Sequence, residues 1–294
     1  MKLVTYLYEG KEAAGVLSPD GACVYPAKGL GFECADMNGF IDLLAVRGLA
    51  SLKEAVASGC DGEISLNQVT LLAPIPRPKQ DMICLGINYM AHAEESARYK
   101  KEAFGGERPY AVYFSKRVGE AVRPGGHIDG HFDLVERLDY EAELAVVIGK
   151  DASHVEEADA AEYVLGYTII NDVSARQVQT RHKQWYFGKS LDGFTPMGPC
   201  IVTADEFEFP PRLSIQSKVN GELRQNSNTE LLIFGIPHII RELSQGITLK
   251  AGTIIATGTP AGVGMGFEPP RFLRSGDQVE CIIEGIGSLK NTVK

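Results

Sequence analysis

The feature that most constrains the fold is a series of short apolar segments, broken by glycine and proline, from about residue 82 to the end of the chain. The clearest of these segments are MICLG, ELAVVIG, YVLGYTII, CIVTA and QVECIIEGIG. Their length and their β-branched residues favour strands over helices. Only the stretches 90–101, 174–184 and 237–245 predict helices among them. We therefore expect an α+β, β-rich fold, built as a mixed β-sandwich or barrel.

A proline-rich connector divides the chain into two unequal parts. The segment LLAPIPRPKQ places Pro74, Pro76 and Pro78 close together, and proline disfavours helix both at its own position and at the residue before it. The part before the connector contains short strands and an apolar stretch at 40–56 that suits one or two helices. We predict a small N-terminal α/β domain at 1–72 and a larger β-rich domain at 79–294.

Charge and apolar patterning narrow the classes of partner. The net charge is −9, the wrong sign for a protein that neutralises nucleic-acid phosphates. The first residues lack the apolar core of a signal peptide, and the longest uncharged run, 251–267, is rich in glycine. The six cysteines form no CxxC pair, which favours reduced thiols. We expect no nucleic-acid partner, no membrane association and a cytoplasmic location.

Three familiar motifs are incomplete. The GKS at 188–190 lacks the earlier glycine of a phosphate-binding loop, and AGVGMGF has the wrong glycine spacing for a dinucleotide site. His127 and His131 are separated by Gly130 and follow a PGG turn, so two loop histidines are favoured over a zinc site.

Three carboxylates stand at the ends of apolar strands. Glu141 and Glu143 lie at i and i+2 at the head of the apolar strand in LDYEAELAVVIG, so both point to one face, and Asp172 follows the strand YVLGYTIIN. Two adjacent carboxylates repel each other, and a bound cation is the simplest resolution. An all-oxygen ligand set suits Mg²⁺, Mn²⁺ or Ca²⁺ better than Zn²⁺. The spacing alone leaves open a solvated pair at an exposed strand end.

Cationic and amide side chains follow this triad. A helix from about residue 174 would place Arg176 and Gln179 on the same face as Asp172. Lys189 lies between aromatic residues and glycine in WYFGKSLDGF, where partial burial would make it a fixed charge for an anionic ligand. A surface lysine that buries only its aliphatic stem is the alternative.

A histidine and a glutamate occupy the helix predicted after MICLG. His92 and Glu95 are three residues apart, so the carboxylate can hold one imidazole nitrogen and raise the basicity of the other. This is the arrangement of a general base. The same spacing is common on solvated helix faces, and the pair gains weight only in combination with the carboxylates.

Taken together, these strings resemble the fumarylacetoacetate hydrolase family. The chain resembles it in five ordered blocks from about residue 81 onward: GINYMAH, LDYEAELAVVIG, NDVSARQVQ, GKSLDGFTPMGP and TGTPAGVG. The resemblance implies a catalytic domain of mixed, barrel-like β architecture, often with a small N-terminal domain, and a homodimer.

The resemblance also implies roles for individual residues. The carboxylates of Glu141, Glu143 and Asp172 would hold Mg²⁺ or Mn²⁺, and His92 with Glu95 would activate water. The substrate's carboxylate and oxo groups would be bound by side chains that include Tyr89, Arg176, Gln179, Lys189 and Thr257. The chain departs from the family pattern in two places. Gln177 stands where the family commonly has an acid, and the segment 96–110, which bears on substrate identity, is long and charged.

The implied reaction is hydrolysis of a carbon–carbon bond in a 1,3-diketo acid of the acylpyruvate type. The cation would stabilise the enolate that leaves, His92 would deprotonate water, and Lys189 with Gln179 would stabilise the oxyanion. The same chemistry serves isomerisation, decarboxylation or dehydration of related 2-oxo acids, and a non-catalytic metal-binding fold is a further alternative. The sequence does not choose among these.

Overall fold

A computed structural model describes residues 1–104, 106 and 109–294. The first ten strands are β1 (Lys2–Tyr8), β2 (Lys11–Leu17), β3 (Cys23–Pro26), β4 (Ile64–Ser65), β5 (Thr70–Leu71), β6 (Met82–Gly86), β7 (Val112–Lys116), β8 (His127–Ile128), β9 (Leu138–Asp139) and β10 (Ala142–Ile148). The remaining strands are β11 (Val164–Asn171), β12 (Ser174–Ala175), β13 (Met197–Thr203), β14 (Ser214–Val219), β15 (Glu222–Asn228), β16 (Ile254–Ala256), β17 (Gln278–Ile283) and β18 (Gly287–Val293). The α-helices are α1 (Met37–Ser58), α2 (Met90–Lys100), α3 (Arg176–Arg181), α4 (Tyr186–Lys189) and α5 (Ile236–Ser244).

Most strands belong to two sheets. The larger has the order β4-β3-β2-β1-β13-β11-β10-β16-β6-β7, with β5 added beside β1, and the smaller has the order β15-β14-β17-β18-β8. Strands β9 and β12 form a separate two-stranded ladder. The pairings are antiparallel except β6 with β16 and β8 with β18. The described strands close no barrel, so the predicted α+β, β-rich class is confirmed in its sandwich form.

The central strand β10 contributes to two cores at once. Leu144 and Val146 pack in the core that also contains residues of the smaller sheet, whereas Ala145 and Val147 face a second core. Successive side chains on a strand point to opposite faces. Because both faces of β10 are buried, its sequence is an almost uninterrupted run of apolar residues.

The N-terminal part joins the same sheet as the rest of the chain. Strand β1 pairs with β13, with Lys2 opposite Val202, and α1 places Phe40 in the second core. Helix α1 is interrupted at Gly48, where φ is 75°, which agrees with the expectation of one or two helices at 40–56. The division into domains at 1–72 and 79–294 stays a prediction.

The predicted helix at 174–184 is wrong at its start and at its end. Ser174 and Ala175 form β12 and pair with Asp139 and Leu138 of β9, so only Arg176–Arg181 is left to form α3. The helices predicted at 90–101 and 237–245 are confirmed as α2 and α5. No helix in the described part of the chain combines the length and the apolar character needed to cross a membrane.

Candidate active site

Three carboxylates converge where β10 begins and β11 ends. The two strands are antiparallel neighbours with Ala142 opposite Asn171, so Glu141 and Glu143 meet Asp172, and Asp172 N donates to Glu141 O at 2.8 Å. One oxygen of each carboxylate lies within 4.8 Å of the others, and all three residues are buried. The alternative of a solvated pair at an exposed strand end is therefore wrong.

Two buried lysines hold the triad. Lys189 Nζ donates to Glu141 Oε2 at 2.8 Å and to Asp172 Oδ2 at 2.6 Å. On the other side, Lys116 Nζ donates to Asp172 Oδ1 at 2.5 Å and to Val173 O at 3.1 Å. Lys189 is buried, so the alternative of a surface lysine is also wrong.

Arg176 links the triad to a second buried acid. Its Nη1 lies 2.6 Å from Glu141 Oε1 and 3.3 Å from Gln179 Oε1, while its Nε donates to Asp139 Oδ2 at 2.8 Å. Asp139 also accepts hydrogen bonds from the backbone N–H groups of Gly264 and Met265, at 2.6 and 3.0 Å. Asp139 thereby fixes α3 relative to the turn at Gly264–Gly266.

The carboxylates of the triad differ in charge balance. Burial raises the pKa of Glu141, but Lys189 and Arg176 outweigh burial and hold that pKa well below its ordinary value. The pKa of Glu143 is raised well above its ordinary value by burial and by the nearby Asp172 and Glu141. Within the described residues Glu143 forms no ion pair, and its one hydrogen bond comes from Gly258 N at 2.9 Å.

This imbalance fits a divalent cation. Three carboxylate oxygens within reach of one another, with one carboxylate uncompensated, are the donor set that Mg²⁺, Mn²⁺ or Ca²⁺ takes in proteins. The triad of Glu141, Glu143 and Asp172 can therefore bind a divalent metal ion.

The histidine and glutamate of α2 form a buried pair. His92 Nδ1 lies 3.1 Å from Glu95 Oε2, and Glu95 Oε1 accepts a hydrogen bond from Gly262 N at 3.0 Å. Gly266 provides the space for this carboxylate, because a Cβ there would lie 1.6 Å from Glu95 Oε1. Since Glu95 engages Nδ1, Nε2 is the imidazole nitrogen that a molecule in the cleft can reach.

A cleft of about 560 Å³, including its open mouth, joins the pair to the triad. The predicted site residues on its surface are His92, Glu141, Glu143, Arg176, Gln179 and Lys189. Asp172 and Glu95 lie behind this surface, in contact with Lys189 and His92. The structure therefore brings eight of the ten predicted residues together.

Tyr89 and Thr257 lie outside the cleft surface. Tyr89 is buried at the start of α2, and its hydroxyl has no hydrogen-bond partner among the described residues. The hydroxyl of Thr257 donates to Leu144 O at 2.9 Å, and Thr259, two residues further on, lines the cleft instead. Substrate binding by Tyr89 and Thr257 stays a prediction.

The two departures from the family pattern have different structural settings. Gln177 accepts a hydrogen bond from Arg137 N at 3.2 Å and donates to Leu134 O at 3.2 Å, so it braces a loop near β9. The charged segment 96–110 begins on α2, and Ser96, Tyr99 and Lys100 line the cleft. Its residues 105, 107 and 108 lie outside the described residues.

Sequence reasoning missed several residues of the site. Lys116 and Asp139 are buried ion-pair partners, and Phe114, Trp185 and Thr259 line the cleft. One signal was available for Lys116, because it follows the aromatic residues of β7 in the string VYFSK and a lysine in such a strand needs a partner.

The fold and the site define a class of protein: a β-sandwich protein in which three carboxylates that can bind a metal ion lie beside a histidine and glutamate pair. Residues 81–294 match the family model described as fumarylacetoacetate (FAA) hydrolase C-terminal. The chain belongs to the fumarylacetoacetate hydrolase family, whose members are enzymes that act on small molecules.

Its relatives differ in the reactions that their names describe. Oxaloacetate tautomerase YisK of Bacillus subtilis is 48% identical over 229 residues, which is 78% of this chain and 74% of that protein. A fumarylacetoacetate hydrolase of the psychrophilic Exiguobacterium antarcticum has a TM-score of 0.83 and 40% identity, over 100% of this chain and 99% of that chain. A 5-carboxymethyl-2-hydroxymuconate delta-isomerase of Mycobacterium smegmatis has a TM-score of 0.76 and 31% identity, with the same coverage.

Proposed function

We propose that the chain is a divalent-cation-dependent enzyme that moves a proton at carbon 3 of a short 2-oxo dicarboxylic acid. Keto–enol tautomerisation of oxaloacetate is the reaction to test first. The observation that carries the proposal is His92, whose Nδ1 is held by Glu95 and whose Nε2 is available in the cleft that Glu141 and Glu143 line. The name of the 48% identical relative from Bacillus subtilis supports the choice of substrate.

The side chains around the cleft have complementary tasks in this reaction. Arg176 and Gln179 bind the carboxylate next to the oxo group, and Lys189 stabilises negative charge on the oxo oxygen. His92 Nε2 takes the proton from carbon 3, and the enolate oxygen takes a proton from a water molecule in the open cleft. His92 then returns its proton to the hydroxide, so atoms and charge balance and the imidazole is regenerated. A cation on the triad would act as a Lewis acid toward the 2-oxo acid.

Carbon–carbon hydrolysis of an acylpyruvate is a second candidate. It is favoured by the same pair, because an imidazole held by a carboxylate can also deprotonate water. The hydrolase from Exiguobacterium antarcticum supports it. The two candidates differ in products, since tautomerisation yields an isomer whereas hydrolysis of acetylpyruvate yields acetate and pyruvate.

A spectrophotometric assay of enol absorbance tests both candidates. Wild type and His92→Ala are compared on oxaloacetate and on acetylpyruvate, with Mg²⁺ or Mn²⁺ and with a chelator, and products are identified by chromatography. We expect cation-dependent tautomerisation of oxaloacetate that falls by about 10²- to 10⁴-fold in His92→Ala. The exposed His154 gives a control, His154→Ala, with unchanged turnover.

Two outcomes would overturn the proposal. Turnover of oxaloacetate that is unchanged in His92→Ala excludes the histidine as the proton carrier. Formation of acetate and pyruvate without tautomerisation of oxaloacetate makes the chain a hydrolase instead.

We also propose that the enzyme is a cytoplasmic homodimer, as the family resemblance implies. A mass near that of the 31.9 kDa chain in light scattering at micromolar concentration would contradict the dimer.

A further inference from the structure

The cleft has a polar part and an apolar part. The polar part consists of the charged groups already described, and the apolar part is formed mainly by Leu85, Ile87, Phe114 and Trp185. Trp185 is the only tryptophan of the chain, and it lies between α3 and α4 at the N-terminal end of α4. None of these apolar side chains has a task in the proton transfer proposed above.

The Trp185 ring occupies the space beside Gly86. A Cβ at Gly86 would lie 2.1 Å from Cζ3 and 2.6 Å from Cη2 of that ring, closer than any real contact. The backbone of Gly86 is not in the left-handed region, so a larger residue is excluded by the ring alone and not by its own φ. Glycine at position 86 is therefore what admits the indole to the cleft.

Three further contacts fix the ring relative to the triad. Trp185 packs edge-on against Phe114 with ring centroids 5.2 Å apart and an interplanar angle of 69°. Lys189 Nζ, which bridges Glu141 and Asp172, lies 5.3 Å from the centre of the Phe114 ring. In addition, Lys189 N donates to Trp185 O at 3.1 Å. The Phe114 ring therefore lies against both the indole and the ammonium at the triad.

From this geometry we infer that Trp185 limits the length of the substrate tail, and that Gly86 positions Trp185 for this purpose. The inference rests on the proposed function, because it assumes that the 2-oxo acid end binds at Arg176 and Lys189. With the acid end there, a tail that runs along the apolar part of the cleft meets the Trp185 ring, which is packed against Gly86 and Phe114. The substrates are therefore short 2-oxo acids, with a tail of no more than a few carbons.

Unreactive mimics test the tail without any turnover. The N-alkyl oxamates, from methyl to hexyl, carry a 2-oxo acid end and a tail of increasing length. Their dissociation constants are measured by calorimetry on the Mg²⁺-loaded protein. Because one methylene in an apolar pocket changes affinity by roughly 10- to 200-fold, we expect a sharp loss of at least about tenfold once the tail reaches the ring.

The cut-off is the tail length at which the affinity for the oxamates falls sharply. Variants at Trp185 and Gly86 should change this length. In Trp185→Ala the hexyl compound should bind at least about tenfold more tightly than in wild type, while the methyl compound changes less than about threefold. Trp185→Phe, which keeps an aromatic side chain if the alanine variant folds poorly, should move the cut-off by a smaller amount. Gly86→Ala should also move it, because the added Cβ displaces the ring.

The neighbouring aromatic Tyr186 provides the matched control. It is 40% exposed and is not part of the cleft surface, so Tyr186→Ala should leave the cut-off unchanged. The inference is overturned if wild type shows no cut-off, if Trp185→Ala keeps it, or if Tyr186→Ala moves it equally. Failure of every oxamate to bind wild type overturns the assumed 2-oxo acid site as well.

The two proposals fail in different ways. A cut-off that moves with Trp185, in a protein that turns over neither oxaloacetate nor acetylpyruvate, supports the tail limit and refutes the proposed reactions. Turnover of oxaloacetate together with a cut-off that is the same in wild type and Trp185→Ala supports the proposed reaction and refutes the tail limit.

Discussion

The carboxylate triad and the histidine pair adjoin the same cleft but are held in place by different contacts. Glu141 and Asp172 lie at the ends of central strands, and each forms ion pairs with two buried cations. His92 and Glu95 lie on an 11-residue helix, and the described contacts of their side chains are one to each other and one from Gly262 N. The triad is fixed by several charges, whereas the pair depends on a single backbone donor.

The triad and the histidine pair differ in their contacts because their tasks differ. Buried charges are tolerated only where opposite charges and hydrogen bonds surround them, so the triad has to be assembled by folding itself. A proton carrier instead needs one nitrogen held and the other accessible, which a single carboxylate achieves. Substitutions of Glu141 and Asp172 should therefore lower stability, whereas substitutions in the pair should lower the rate.

The largest expected effect is that of Asp172→Ala. Burial lowers the pKa of Lys116 and Asp172 counteracts this, so the variant leaves either a buried ammonium without its carboxylate or a neutral amine. We expect the free energy of unfolding to fall by about 3–5 kcal/mol, as for other broken buried ion pairs. Denaturant titration measures this, with the exposed Asp192→Ala as a control that changes by less than about 0.5 kcal/mol. A loss below about 1 kcal/mol would show that the triad is not a folding element.

Local patterns identified the triad and the pair as candidates, because Glu141, Glu143 and Asp172 flank apolar strands and His92 and Glu95 share a short helix. The resemblance to the family joined them into one predicted site. Enough of the β pattern was visible for the α+β class to be predicted correctly.

The missed features depend on contacts between distant parts of the chain. Lys116 meets Asp172 across 56 residues, and Asp139 meets Gly264 across 125. The choice between sandwich and barrel depends on strand order, including the pairing of β1 with β13, which no local pattern encodes. Helix α3 is shorter than predicted for the same reason. Ser174 and Ala175 pair with the distant strand β9 and therefore form a strand and not the first turn of the helix.

The next effect in size is stabilisation by a divalent cation. A ligand that binds only the folded state at 100 times its dissociation constant adds about 2.7 kcal/mol to the free energy of unfolding. We expect Mn²⁺ or Mg²⁺ to raise the thermal midpoint accordingly and a chelator to reverse the shift. Calorimetric scans of wild type and Glu143→Ala measure this, and the variant should lose most of the shift. An equal shift in both proteins would place the ion elsewhere.

A smaller effect is expected at the pair. Glu95→Gln removes the charge that orients and supports His92, so kcat for the proposed tautomerisation should fall by about 10- to 100-fold, or about 1.4–2.7 kcal/mol of activation free energy. Gly266→Ala should act in the same direction, because its Cβ would occupy the position of Glu95 Oε1.

Glu94 supplies the matched control for this prediction. It is the exposed neighbour of Glu95 on α2, so Glu94→Gln should leave kcat unchanged. Denaturant midpoints of Glu95→Gln within experimental error of wild type would support the contrast with the triad. A stability loss in Glu95→Gln as large as that in Asp172→Ala would contradict this contrast.

The smallest effect is expected at Glu143, which tests the contrast within the triad itself. Burial, Asp172 and Glu141 raise the pKa of Glu143, so without a cation its charge is unfavourable in the folded state. Glu143→Gln removes that charge and should leave the free energy of unfolding in chelator unchanged or raise it by up to about 2 kcal/mol. Glu141→Gln should lower it, because Lys189 and Arg176 lose part of their partner. If the two substitutions change the free energy of unfolding in opposite directions, Glu143 is the carboxylate that serves the ion. Equal losses would mean that Glu143 serves folding as Glu141 and Asp172 do.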